Sequence, residues 1–470
     1  MGTGIRIVGD ALSFDDVIIL PGLSPVEPWQ VDLSAKASRS VGLGIPLVAA
    51  PMDTVSEWRM GVALALLGGI AVIHRNMPIE EQVEHVKKVK NHPHVVLHSV
   101  AVEPGDECCR VRDQLRQWGL RDVPVVAPGG ELRGRVRLTA LMGCSCGTPV
   151  AKLVEPAVAY DVAAVEDAKR AVIDGKTDAA AITLERRFLG AVTFEEAVAE
   201  YRPVVDEEGR LRVAAAVSPF DTRRAEALDG LADVLVSDVA HFHNVNVLSA
   251  AARLARNLVS DFVAGNLGTR EGVLDTLSRI EKVDGLRMGI AGGNICTTSG
   301  VTGVASPTLH AVAEARAALV ELGVASSETP IIADGGIRGS GDAAKALAAG
   351  AYAVMAGFLL AGTDEAAAPL LRIGGRLYKP YRGMASRGAL QRRYAADRYS
   401  RVSKKVEEGI EGLVPYRGPV RGVVEGFAEG LRAALGYAGA SSIPELWEKA
   451  RFARINSRIG AYVGTVKTEL

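Results

Sequence analysis

Cys296 carries the sharpest chemical signal in this 470-residue chain, at the end of Gly292-Gly293-Asn294-Ile295-Cys296 and just before Thr297-Thr298. A thiol is mostly protonated at neutral pH, with a reference pKa near ~8.5, and becomes a nucleophile where dipoles, a cation or a base favour the thiolate. Free thiols also serve as small buried filler, and position alone leaves both readings open. A second signal is Asp334-Gly335-Gly336, followed by Gly357. Glycines lack a Cβ, so their backbone N–H groups can approach phosphate oxygens closely. Asp334 beside them can accept from two ribose hydroxyls, which suggests a nucleotide, although Asp-Gly-Gly is also an ordinary turn.

These residues follow short apolar runs at 45–50, 69–74, 212–217, 234–238, 262–265, 285–289, 330–334 and 352–356. Helical stretches alternate with them, as at 58–68, 80–90, 310–322 and 342–350. Eight such strands predict an α/β fold, a parallel (β/α)8 TIM barrel, with a doubly wound open sheet as the alternative. Pro51-Met52-Asp53, His74-Arg75-Asn76, Asp238 and Gly265-Asn266 also fall just beyond strands. Barrel active sites sit at that rim, so the recurrence predicts one there. The rhythm breaks between 92 and 203, where two similar β-β-α units (123–142 and 179–199) predict an inserted domain, either an appendage or a ligand sensor.

Composition narrows the function classes. A net charge of −1 gives no electrostatic reason for nucleic-acid or membrane binding, and no base-stacking aromatics interleave with basic residues. No apolar run reaches the ~18 residues of a membrane span. The N-terminal MGTGIRIVGD lacks a signal-peptide layout, so a cytoplasmic location is expected. Five cysteines predict no disulfide framework; Cys108, Cys109, Cys144 and Cys146 read as ordinary small residues without zinc spacing.

With these residues placed, the chain resembles the IMP dehydrogenase/GMP reductase family along nearly its whole length. The matching blocks are LSFDDVIILPGLSP (12–25), AAPMDTVSE (49–57), GGIAVIHRNMPIEEQ (68–82), NICTTSGVTGV (294–304), PIIADGGIRGSGDAAKALAAGA (330–351), YRGMAS (381–386) and EEGIEGLVPYRGPV (407–420), in family order. The resemblance implies that Cys296 adds to purine C2, with Thr298 beside the leaving or attacking group. It implies that Asp334, Gly336 and Gly357 hold ribose and phosphate, and that Met52 and Met384 border the purine. Asp238 and Asn266 would lie near the nicotinamide riboside, and Glu408 at the purine edge. Backbone carbonyls of Ala291, Gly293 and Cys296 would bind potassium. The insert is similar to a pair of cystathionine-β-synthase-type (CBS) domains. The implied division is barrel 1–93, CBS pair 94–202 and barrel 203–470, with an active-site flap at 385–419. In the insert, Ala140 stands where a ribose-binding aspartate is common and Glu196 stands in the second copy, so at most one purine-nucleotide site is expected.

Two reactions share this scheme: NAD-dependent oxidation of IMP to XMP, and NADPH-dependent reductive deamination of GMP to IMP. Arg398-Tyr399, the insert and KARFARI (449–455) lean towards the dehydrogenase. LAGTDE (360–365), SDVA (237–240), Asn294, Phe358, Ser299 and Thr308 depart from the dehydrogenase pattern, while Arg387 replaces a glutamate usual in reductases. The mixture resembles the CBS-bearing actinobacterial reductase branch. The expectation is therefore a GMP reductase using NADPH, acting on GMP/IMP as a homotetramer or octamer. An IMP dehydrogenase is the alternative, and a weakly active nucleotide-binding regulator the third reading.

Overall fold

The computed structural model describes residues 7, 9–92, 100–198, 202–392, 394 and 408–455. The eight apolar runs form a closed parallel barrel: β1 Leu47–Ala49, β2 Ile70–Ile73, β3 Ala214–Val217, β4 Val234–Ser237, β5 Asp261–Leu267, β6 Gly285–Met288, β7 Ile331–Asp334 and β8 Ala353–Ala356. Val354 pairs with Leu47 to close the ring, and Ala214 pairs with Val72 across the interruption. Closure excludes the open sheet. Every residue of β1, β2, β3, β4, β6 and β8 is buried, which is why these strands read as apolar runs rather than alternating ones, with Ser237 of β4 and Arg287 of β6 the polar exceptions.

Helix caps keep the connections after the strands short. The Asn244 side chain accepts from the N–H groups of Asn246 and Val247 to open helix Val245–Ala255. Thr269 caps Arg270–Arg279 through the N–H of Gly272, and Gly323 at φ 65 ends Thr308–Leu322. Loops held at both ends present their side chains over one rim.

The chain divides into two compact units, Met1–Lys90 with Pro203–Leu470, and Asn91–Arg202. Within the first, Lys90 closes the helix that precedes the insert. Its Nζ meets Asp206 at 3.0 Å and Asp233 at 2.7 Å, so a buried ion triad ties the two roots of the insert together.

The second unit has two halves. One is helix Cys108–Trp118, hairpin Asp122–Val126 with Leu132–Arg137, and helix Leu138–Met142. The other is helix Val165–Ile173, hairpin Ala179–Leu184 with Arg187–Thr193, and helix Phe194–Ala197. A third strand, Ala159–Asp161, joins the second hairpin; it was too short to stand out in the sequence. Each half has its own apolar core, around Val111, Leu115 and Val136, and around Ala168, Ile182 and Val192. Buried Asp122 joins them, accepting from Arg135 Nη1 (2.7 Å), Thr177 Oγ1 (2.9 Å) and the Asp178 N–H (2.8 Å). Glu196 is 1% exposed and so is not a surface carboxylate for ribose.

The four insert cysteines are not ordinary small residues. Cys108 pairs with Cys144 and Cys109 with Cys146, at Cα separations of 6.1 and 5.0 Å. Helix Cys108–Trp118 packs against helix Leu138–Met142, so residues 36 and 37 positions apart meet. That packing is invisible in the spacing, which is why the expectation failed.

Candidate active site

A cavity of about 990 Å³, including its open mouth, lies at the strand ends. Met52, Asn266, Ala291, Gly293, Cys296, Thr298, Asp334, Gly336, Gly357, Met384 and Glu408 all line it. These residues come from seven separate segments of chain, each placed by a strand end or by the segments that cover the barrel mouth.

Cys296 ends the loop after β6, half-buried, and is the one free thiol among the described residues. Its Sγ donates to Thr298 Oγ1 at 3.2 Å, and Thr298 Oγ1 donates to Glu408 Oε2 at 2.8 Å. The bonds run in one direction, from thiol to hydroxyl to carboxylate. Backbone contacts hold that line. The Thr297 N–H donates to Glu408 O (3.1 Å), the Ile410 N–H to Ile295 O (3.1 Å), and the Glu408 N–H to Ala385 O (3.2 Å). Glu408 is 5% exposed, so its carboxylate acts in a medium that screens charge weakly.

Asp334 closes β7. Its Oδ2 accepts from Arg287 Nη2 (2.8 Å) and Asn266 Nδ2 (2.7 Å), which leaves Oδ1 as the oxygen available to a ligand. Arg287, buried within β6, also reaches Asp238 Oδ1 at 3.5 Å, and Arg75 Nε reaches Asp238 Oδ2 at 3.2 Å. Asp238 is 1% exposed and does not line the cavity. Its present position is behind the wall, where it orients the arginine that orients Asp334.

At the other end, Gly335 and Gly336 have φ 101 and φ 76, left-handed values that favour glycine. A Cβ on Gly357 would collide with Met52 Sδ and stand 3.0 Å from Tyr381 Oη, so only glycine leaves this wall intact. Phe358 gives the cavity a ring, with the Arg417 guanidinium 5.0 Å above it. Thr308 is structural here, its hydroxyl donating to Asp334 O at 2.9 Å. The LAGTDE run is held by Lys379, whose ammonium donates to the carbonyls of Thr363 (2.8 Å) and Asp364 (3.1 Å), and to that of Ala366 just beyond (2.8 Å).

Met384, on the cavity lining, is anchored by its Sδ, which accepts from the Asp53 N–H at 3.4 Å. Burial acts to raise the Asp53 pKa, but Arg382 (2.6 Å) and Asn76 (2.9 Å) outweigh it and hold the carboxyl below its usual range. Burial and the nearby Asp334 charge push the Tyr381 hydroxyl well up, so it stays neutral.

Arg287 and Tyr381 were not singled out in the sequence. A cation inside the apolar run GLRMG was the available signal for Arg287, because a charge in a buried strand needs a partner. Nothing comparable marked Tyr381. Arg398-Tyr399 lies outside the described residues.

The family profile described as "IMP dehydrogenase / GMP reductase domain" matches residues 11–461. The chain is 44% identical over 454 residues to the inosine-5'-monophosphate dehydrogenase of Korarchaeum cryptofilum, covering 95% of this chain and 94% of that one. To the enzyme of the same name from Aquifex aeolicus it is 40% identical, with 95% and 94% covered. A crystal structure of a Trypanosoma brucei GMP reductase with guanosine 5'-monophosphate aligns at TM-score 0.67 and 33% identity, covering 96% of each chain. The expectation of a GMP reductase is overturned by these relatives. Full-length matches at 37–44% identity carry the dehydrogenase name, whereas the reductase likeness is lower in identity.

Proposed function

From the premise that this chain belongs to the IMP dehydrogenase/GMP reductase family, we propose that it is an IMP dehydrogenase, oxidising IMP to XMP with NAD. The observation that carries the chemistry is the one-directional line from Cys296 through Thr298 to Glu408. Glu408 draws the thiol proton through the Thr298 hydroxyl, and the freed sulfur adds to C2 of the purine. Covalent addition divides a difficult oxidation at an aromatic carbon into two easier steps. Loss of hydride from C2 leaves a thioimidate on Cys296, which water hydrolyses to XMP and the free thiol. The nicotinamide supplies the hydride acceptor when bound. Asn266, with its side chain on the cavity wall, is better placed to contact the nicotinamide riboside than Asp238, which is enclosed by two arginines.

Asp334 Oδ1 would take the ribose hydroxyls, and the N–H groups around Gly335, Gly336 and Gly357 the phosphate. Met52 and Met384 would flank the base with soft, polarisable sulfur. Ala291, Gly293 and Cys296 belong to one loop, in which the Cys296 N–H donates to Gly293 O at 3.0 Å; hard, uncharged backbone oxygens of this kind suit potassium, which would stiffen the loop that presents the thiol. We further propose a cytoplasmic homotetramer or octamer whose insert, a CBS-type pair, takes a purine nucleotide through groups other than Glu196.

The test is absorbance at the reduced-nicotinamide band. IMP with NAD should raise it; no change there, together with a fall when GMP and NADPH are supplied, would reverse the assignment.

A further inference from the structure

We propose that Cys109–Cys146 is a thiol–disulfide exchange site, reduced by dithiols and re-formed by small or protein disulfides, while Cys108–Cys144 beside it is a structural cross-link. The inference does not depend on the catalytic reading, because all four cysteines lie in the second compact unit.

The two bonds start from consecutive residues in the first turn of one helix, yet their surroundings differ. Cys108 is fully buried in the core of Val111, Leu115, Val123 and Leu141, and Cys144 packs against that core. Cys109 is half-buried, and Cys146 is exposed. A reagent can therefore reach Cys146 Sγ without disturbing the core. Exchange also needs a sulfur that leaves well, and Cys109 is placed to be one. Arg112, one turn along the helix, places Nη2 3.3 Å from Cys109 Sγ. A guanidinium at that distance stabilises negative charge appearing on sulfur. Nucleophile access and leaving-group support thus fall on opposite sulfurs of one bond.

The step balances as ordinary exchange. A reductant thiolate attacks Cys146 Sγ, the Cys109–Cys146 bond breaks, and Cys109 leaves as a thiolate that takes a proton from water. The reductant's second thiol then attacks the mixed disulfide and releases Cys146, so the reductant ends as a disulfide. Reduction unties the segment after helix Leu138–Met142 from the start of helix Cys108–Trp118 at the surface, with Cys108–Cys144 still holding the core.

The experiment titrates the full-length protein with dithiothreitol under native conditions, blocks free thiols with N-ethylmaleimide and locates the label by peptide mass spectrometry. Cys109 and Cys146 should become labelled at a dithiothreitol concentration at least about tenfold below that needed for Cys108 and Cys144, since buried sulfurs are shielded from attack. Arg112→Ala should slow the opening by about threefold or more, because a leaving thiol without the guanidinium's support departs more slowly. Arg112→Lys should restore most of the rate, and the fully reduced variants should melt with the reduced wild type. Simultaneous opening, the reverse order, or an unchanged rate in Arg112→Ala would overturn the proposal. So would four reduced thiols that resist labelling and retain an equivalent of zinc.

Discussion

Replacing Glu408 by Gln keeps the shape of the side chain and an oxygen that can still accept from Thr298 Oγ1, now at 2.8 Å. It removes the negative charge and the capacity to hold a proton. In the wild type the proton path from Cys296 Sγ spans one bond of 3.2 Å and one of 2.8 Å, both near ideal, so the carboxylate is placed to act as a base through the hydroxyl. A positioned general base contributes ~10²–10⁴-fold, equivalent to about 3–5 kcal/mol of activation free energy. Glu408→Gln should therefore lower kcat for IMP oxidation at least ~100-fold. The KM for IMP should move little, because the Asp334 and Gly335–Gly336 groups proposed for ribose and phosphate lie elsewhere on the cavity wall. Thr298→Val breaks the same path at its middle. If the three groups act as one unit, the double variant should be scarcely worse than either single one. Initial rates of NADH formation, with the rate of Cys296 alkylation followed against pH, measure both effects. A near-wild-type kcat in Glu408→Gln, or losses that multiply in the double variant, would refute the relay.

Cys296→Ala should abolish turnover while IMP still binds by calorimetry, and wild type quenched in mid-reaction should carry a nucleotide adduct on Cys296; normal turnover, or an adduct on another cysteine, would refute the nucleophile. At the roots of the insert, burial opposes ionisation of Asp206, but Lys90 and Arg210 hold its carboxyl at about 2. The folded pKa lies below the unfolded reference of ~3.9, so this stabilisation is complete above about pH 4 and is lost as pH falls towards 2. The gap in urea midpoint between wild type and Asp206→Asn should therefore shrink from pH 5 to pH 2, and a constant gap would count against the ion triad. Deleting residues 94–202 should leave a folded, active barrel, because the insert cores draw on insert residues alone and the Lys90–Asp206 contact keeps the cut ends near each other. The deletion protein should show no ATP or GTP effect at saturating substrate; an unchanged response would place the sensor in the barrel.

The barrel was legible in the sequence because burial on both faces leaves a mark on every residue of a strand. Runs such as IAVI and VLVS have no solvent side to keep polar, and helices with their own caps separate them. The rim was legible for a related reason: turns after strands favour Gly, Asn and Asp, so the region of Asp334-Gly335-Gly336 stood out, with Asp334 ending β7 and the two glycines turning; Asn266, expected just beyond its strand, instead lies within β5. Cys296 was visible as a thiol on such a loop, but its partners were not. Thr298 meets Glu408 across 110 positions, Asp334 meets Arg287 across 47, and Cys109 meets Cys146 across 37. Composition and periodicity describe what each segment buries, not which distant segment it is buried against. Tertiary packing alone enclosed Asp238 between Arg75 and Arg287 behind the wall, turned Thr308 into a brace for β7, and joined four cysteines in two pairs, because each depends on helices and loops meeting in space after the local elements have formed.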